Sequence, residues 1–281
     1  MSPLVTDLAE MRGPVLHLSG PKLRLSLDTL LRSAEAIGGI EQLVGALTLR
    51  AEILRENLSG LIDGSLTRQR FEELTLLMAT VRRRVGPLVT SERWPHLRTA
   101  IAGLLQDAHV PGTADQRIRM FETALASLAG ERLRYHRDLA AEILHAALPE
   151  HYPLMQRWVW DATANTGALR EMWFSDGPEP LIIGTADDHA AFLMLRAELA
   201  QFLSQNGIFR DMIWYVDLLT AQVYAGYVGE QGGAYLKTDF SNPGNALEHT
   251  LRLLGLDKAR RRRPNEARRL DLAVTARSHL S

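Results

Sequence analysis

The sequence predicts an all-α fold: a helical bundle carrying a second helical subdomain, with at most one or two short strands. Three observations lead there. Apolar residues recur at three- and four-residue spacing across nearly the whole chain after residue 24. Helix start and stop signals bracket most of those segments. Runs that read as strand are confined to Val15–Leu18 and Leu181–Ile183.

In chain order, residues 1–24 read as a loose leading segment broken by Pro3, Gly13-Pro14 and Gly20-Pro21. Ser26 has the residue type of an N-cap for a helix to about Ile37, ended by Gly38-Gly39. A second helix carries Ile40, Leu43, Val44, Leu47, Ala51 and Leu54 on one face and stops at Asn57 to Gly60. A third, with Phe71, Leu74, Leu77 and Val81 in register, runs to Gly86-Pro87. A fourth follows Ser91, with Pro95 tolerated in its first turn and Leu97, Ile101, Leu104 and Leu105 facing inward. Thr113-Ala-Asp-Gln116 has the form of a capping box. The helix it opens reaches Pro149, with Gly130 as the point where it bends or splits. Thr185-Ala-Asp-Asp188 caps a helix containing Phe192, Leu195, Leu199 and Phe202, stopped by Asn206-Gly207. Phe209, Ile213, Val216, Val223 and Tyr227 follow helical spacing as a core face, before a glycine-rich loop over 229–242. Asn242-Pro243 starts a last helix ending at Leu254-Gly255. The organisation expected is a leading segment (1–24), an N-terminal bundle (25–148), a C-terminal helical half (149–257) and a basic tail (258–281).

Composition narrows the classes. Hydrophobic residues make up 46% of the 281 and charged residues 23%, enough to build a core. No apolar run approaches the roughly 20 residues of a membrane-spanning helix, and the N-terminus lacks a signal-peptide pattern, so a cytoplasmic location is expected. The chain has no cysteine, which excludes disulfides, thiolate metal sites and cysteine nucleophiles. Its net charge of −1 is unevenly distributed: residues 258–281 hold eight basic residues against Glu266 and Asp271, a balance of +6, leaving −7 on the body.

One stretch concentrates chemistry. Between His151 and Trp173 lie three of the five tryptophans, Trp158, Trp160 and Trp173, interleaved with Arg157, Asp161, Asn165, Thr166, Arg170 and Glu171. Aromatics beside polar groups suit a pocket or an interface centre, and equally the junction of two helical layers. Asn165–Gly167 could open a short helix whose free N–H groups, with Arg170, would hold an anion. For an enzyme, the polar candidates are His151, Asp161, Arg170 and Glu171.

Other motifs carry less. Glu142-Ile-Leu-His145 puts a carboxylate and an imidazole on one helix face, but a di-iron site needs a second copy, and none exists. An ordinary buried histidine is expected, with no metal or cofactor. The Gly229–Thr238 segment lacks the glycine-lysine order of a phosphate-binding loop; Lys237 or Asp239 could reach over the aromatic stretch if it were a lid. Asp217 is expected to be partly buried and paired with an arginine. In the tail, Lys258, Arg260, Arg261, Arg262, Arg263, Arg268 and Arg269 could bind phosphate backbones without reading sequence, or dock on the acidic body.

The function expected is that of a non-enzymatic binding or accessory protein, its surface centred on residues 151–173 and its partner a protein. The alternatives are an enzyme or small-ligand protein with its pocket at the same stretch, and non-specific nucleic-acid binding through the tail. No membrane insertion is expected, and self-association stays open.

Overall fold

The computed structural model describes residues 13–175, 182–235 and 246–257. These form ten α-helices and no sheet, as the periodicity predicts. They are α1 (Gly20–Glu35), α2 (Ile40–Asp63), α3 (Arg68–Thr75), α4 (Trp94–Leu105), α5 (Ala114–Ala129), α6 (Tyr135–Ala147), α7 (Ala168–Met172), α8 (His189–Gln205), α9 (Met212–Tyr235) and α10 (Ala246–Leu253). None of the described helices is long and apolar enough to cross a membrane.

Two helices organise the rest. In α9 every residue from Val216 to Val223 is buried, on all sides of the helix, as expected of an element enclosed by others. Its neighbours are α1, α2, α7, α8 and α10. In α6, Tyr135 and His136 and all of Asp138 to Ala146 are buried, against α2, α4 and α5. Helix α2 packs on both, so a single apolar core runs from Leu16 to Leu254 and crosses Pro149 without interruption.

Several boundaries differ from the sequence expectation, each for a physical reason. Helix α1 begins at Gly20, with Pro21 in the first turn where its missing N–H costs nothing, and Ser19 precedes it as N-cap. Gly130 ends α5 in a left-handed conformation (φ 86°), and a new helix starts at Tyr135. Thr113 does precede α5, but its hydroxyl donates to Val110 O and leaves the helix amides uncapped. Asp188 does cap α8, accepting from Ala191 N at 2.9 Å. The third helix stops at Thr75 because the backbone beyond it serves a buried ion pair: Leu77 O accepts from Arg50, and Thr80 N donates to Glu142. At the other end, α9 continues through Gly229 to Tyr235, correcting the loop expected there. Extending a formed helix over glycines costs about 1 kcal/mol each relative to alanine, which an enclosed helix can absorb. Lys237, Asp239, Asn242-Pro243 and the tail from Lys258 lie outside the described residues, as does Leu181 of the second expected strand. Val15–Leu18 forms no strand beyond one antiparallel bridge, Leu18 to Trp173.

Candidate functional site

The aromatic stretch is a bracket holding three parts of the fold together. Asp161 and Thr166 exchange backbone hydrogen bonds (2.9 and 3.2 Å), closing a tight turn in which Asn165 takes a positive φ of 51°. The returning strand of the turn donates Ala168 N to Trp158 O (2.9 Å) and Leu169 N to Val159 O (3.0 Å). Those bonds consume the first amides of α7, so the anion nest expected at Asn165–Gly167 is not formed. Gly167 enables the closure: at φ 128° it lies in a region reserved for glycine, and a β-carbon would sit 2.7 Å from Val159 O. Gly167→Ala is therefore expected to destabilise the fold by about 2–3 kcal/mol, and a urea midpoint equal to that of the native chain would refute the bracket.

Side chains of the stretch turn mostly inward. Arg157 grips the buried Asp138 of α6, with its backbone N at 3.1 Å from Oδ1 and Nη2 at 2.7 Å from Oδ2. Asp161, also buried, accepts from Arg134 Nη2 (2.6 Å) and from Ala164 N (3.0 Å). Trp160 is 1% exposed, and its indole N–H donates to Thr185 O at 3.0 Å. Trp158 packs on Tyr224 of α9 at 5.9 Å between ring centroids. Asn165 accepts from Ile183 N through Oδ1 (3.1 Å) and from Arg170 Nη1 through its carbonyl (3.0 Å). Thr166 is exposed, and Glu171 is half-buried and close enough to help raise the Tyr224 hydroxyl pKa, after burial and Tyr227. Trp173 meets His17 edge-on at 5.8 Å, and its carbonyl accepts from Lys22. Of the enzyme candidates, His151 is exposed and gives its carbonyl to His189 Nε2 at 2.9 Å, whereas Asp161 is held by Arg134.

Glu142 and His145 do share a face of α6, but each serves a different partner. Glu142 accepts from Arg50 Nη2 and Thr80 Oγ1, both at 2.9 Å. His145 Nδ1 lies 2.8 Å from Tyr152 O and its Nε2 3.0 Å from Asp217 Oδ2. Asp217 thus pairs with this histidine, correcting the arginine expected. Arg196, whose own pKa is lowered by burial, feels the Asp217 charge. Among the described residues no three histidine or acidic side chains cluster as metal ligands.

An open groove lies elsewhere. Helix α2 and the turn between α8 and α9 enclose a groove of about 850 Å³. From α2 come Glu41, Gln42, Gly45, Thr48, Leu49 and Glu52, whose spacing places them along one helix flank. The opposite wall is Gly207 to Asp211, with Tyr215 from the first turn of α9. Gly207 (φ 85°) and Asp211 (φ 52°) shape that turn and break helical register between α8 and α9. Phe209 accordingly lies outside α9 and is 67% exposed, correcting its assignment to the core face. Glu41, Glu52 and Asp211 are all exposed on the rim, with Arg210 as the basic lining residue. Burial first, then the nearby Glu41 and Asp211, raise the Tyr215 hydroxyl pKa. Beneath the rim, Gln42 Oε1 is buried and accepts no hydrogen bond. Carboxylates beside the apolar lining of Leu49, Ile208 and Phe209 suit a cation with an apolar neighbour.

None of these groove residues stood out in the sequence as a site. The signal available was Asn206-Gly207 with Asp211 just before Met212: two breaks that isolate Phe209 in a turn. Comparison of the chain with family models, curated proteins and solved structures returns no match.

Proposed function

We propose that the chain is a non-enzymatic binding or accessory protein that docks a cationic, amphipathic segment of a protein partner in the groove between α2 and the α8–α9 turn. The carrying observation is the rim of Glu41, Glu52 and Asp211 around a trough that exposes Phe209. Arginine or lysine side chains of the segment meet the carboxylates. An apolar residue covers Phe209, Ile208 and Leu49, removing their surface from water. The aromatic bracket serves this function indirectly. It fixes α9 through Trp158 and α6 through Arg157 and Asp161, and α9 in turn carries one wall of the groove.

The test is a calorimetric titration with a synthetic helical peptide of alternating arginine and leucine turns. Binding is expected to weaken at least tenfold in the Glu41→Gln/Glu52→Gln/Asp211→Asn protein, the scale of three rim ion pairs. It is also expected to weaken with added salt, because exposed charges are screened over about 8 Å at physiological ionic strength. Because the three positions are exposed, the fold should not change. Equal affinity for the neutralised and native proteins would sink the proposal, and Phe209→Ser provides a second, uncharged check on the same groove.

A further inference from the structure

We infer that the chain's own arginine run, Arg260–Arg263, occupies this groove in cis, so that a partner segment must displace it. The inference rests on the binding reading above and names a second occupant of the same site. Charge complementarity is the first argument: a +6 tail is tethered to a −7 body whose open groove is lined by three carboxylates against one basic residue, Arg210. Composition is the second. The tail joins its arginines to Leu270 and Leu272, matching the carboxylates and the apolar lining of Leu49, Ile208 and Phe209.

Reach is the third argument. The last described residue, Asp257, is clamped by Arg82 through two hydrogen bonds of 2.7 Å, which fixes where the tail departs. Two residues earlier, Gly255 packs against Arg50 of α2, where a β-carbon would lie 3.1 Å from Arg50 Nε. Leu49 and Glu52, one and two positions from Arg50 along α2, already line the groove on the other flank of that helix. A helix with its side chains is about 10–12 Å across. An extended chain advances roughly 3.3–3.6 Å per residue, so Arg260 lies within about 11 Å of Asp257 and Arg263 within about 21 Å. At those spans the arginine run reaches beyond the width of one helix such as α2.

A tethered occupant competes at an effective concentration of the order of millimolar, so it dominates over a free segment of comparable intrinsic affinity. The test uses two full-length proteins: the native chain and a variant with Arg260, Arg261, Arg262 and Arg263 each changed to serine. Both are titrated with a synthetic peptide of residues 258–272 and with the arginine–leucine peptide used above. The tail peptide is expected to bind the serine variant about tenfold more tightly than the native chain, because the competing segment has been disabled. That gain should vanish when Glu41→Gln, Glu52→Gln and Asp211→Asn are added. Equal binding of the tail peptide to the native and serine proteins overturns cis occupancy. Binding of the arginine–leucine peptide alone, still sensitive to the rim, also overturns it while the docking function stands. If neither peptide binds, or if binding ignores the rim substitutions, both readings fall together.

Discussion

Glu142→Ala is expected to destabilise the protein by about 3–5 kcal/mol, the scale for removing one member of a buried ion pair. Arg50 and Glu142 are 5% and 3% exposed, so neither charge can fall back on water when its partner is lost. In the native fold both members of the pair make further hydrogen bonds. Glu142 accepts from Arg50 and from the hydroxyl of Thr80, while Arg50 Nε donates to Leu77 O at 2.9 Å. Alanine would leave a buried guanidinium facing a void, together with a Thr80 hydroxyl that has lost its acceptor. A loss of that size is a large share of the 5–15 kcal/mol that holds typical domains folded. Glu142→Gln, which keeps an acceptor but removes the charge, should fall between alanine and the native chain. The double change Arg50→Met/Glu142→Leu should recover part of the loss, because it removes both buried charges while leaving Thr80 and Leu77 O without their side-chain partners. Urea unfolding followed by far-ultraviolet circular dichroism measures all four proteins. A loss below about 1 kcal/mol for Glu142→Ala would mean that the pair is open to solvent.

The same pair explains what could and could not be read from the chain. Helical class was legible because spacing is a local property: Phe71 and Leu74 are three residues apart whatever they later touch. The end of α3 at Thr75 was not, because Arg50 and Glu142, 92 positions apart in sequence, claim the backbone at Leu77 and Thr80. The Glu142–His145 spacing correctly put two polar groups on one face of α6, and only the fold could show that they diverge to Arg50 and Asp217.

The aromatic stretch was singled out for a composition that a binding surface and a structural bracket share. What separates the two uses is whether the charged groups find partners inside the molecule. Asp138 for Arg157 and Arg134 for Asp161 come from α6 and the residue before it, 19 and 27 positions away. The groove was missed for the converse reason. Its α2 residues are ordinary members of an exposed helix flank, and they become a wall only when the α8–α9 turn is placed opposite them.

The second large effect is expected at His145, and its sign depends on pH. Both ring nitrogens face acceptors, Tyr152 O and Asp217 Oδ2, and only an imidazolium has two N–H groups to give. Burial opposes that charge and is the largest single influence, and Arg50 adds to it. The Asp217 carboxylate, its hydrogen bond and the Tyr152 carbonyl together outweigh them, so the His145 pKa is raised above 6.5. The folded protein therefore holds this proton more tightly than the unfolded chain. The stabilisation is complete below about pH 6.5, where the unfolded imidazole is also charged. It drains away as pH rises through the raised folded value. His136 and His189 behave oppositely: burial lowers their pKa values, so their contribution is lost as pH falls from 6.5 through the folded values. Asp217→Asn removes the carboxylate that faces His145, leaving burial and Arg50 to favour the neutral ring. The variant should lose about 3 kcal/mol or more near pH 6, the scale of a broken buried pair. The gap to the native chain should narrow steadily towards pH 9, as the native ring also becomes neutral. Unfolding midpoints at half-unit pH steps give the two profiles. Parallel curves would show that His145 is neutral in the fold and that the pair is an uncharged hydrogen bond. The native slope alone cannot decide this, since His136 and His189 add an opposing dependence below pH 6.5. The difference between native and Asp217→Asn cancels their shared contribution and isolates the His145 proton.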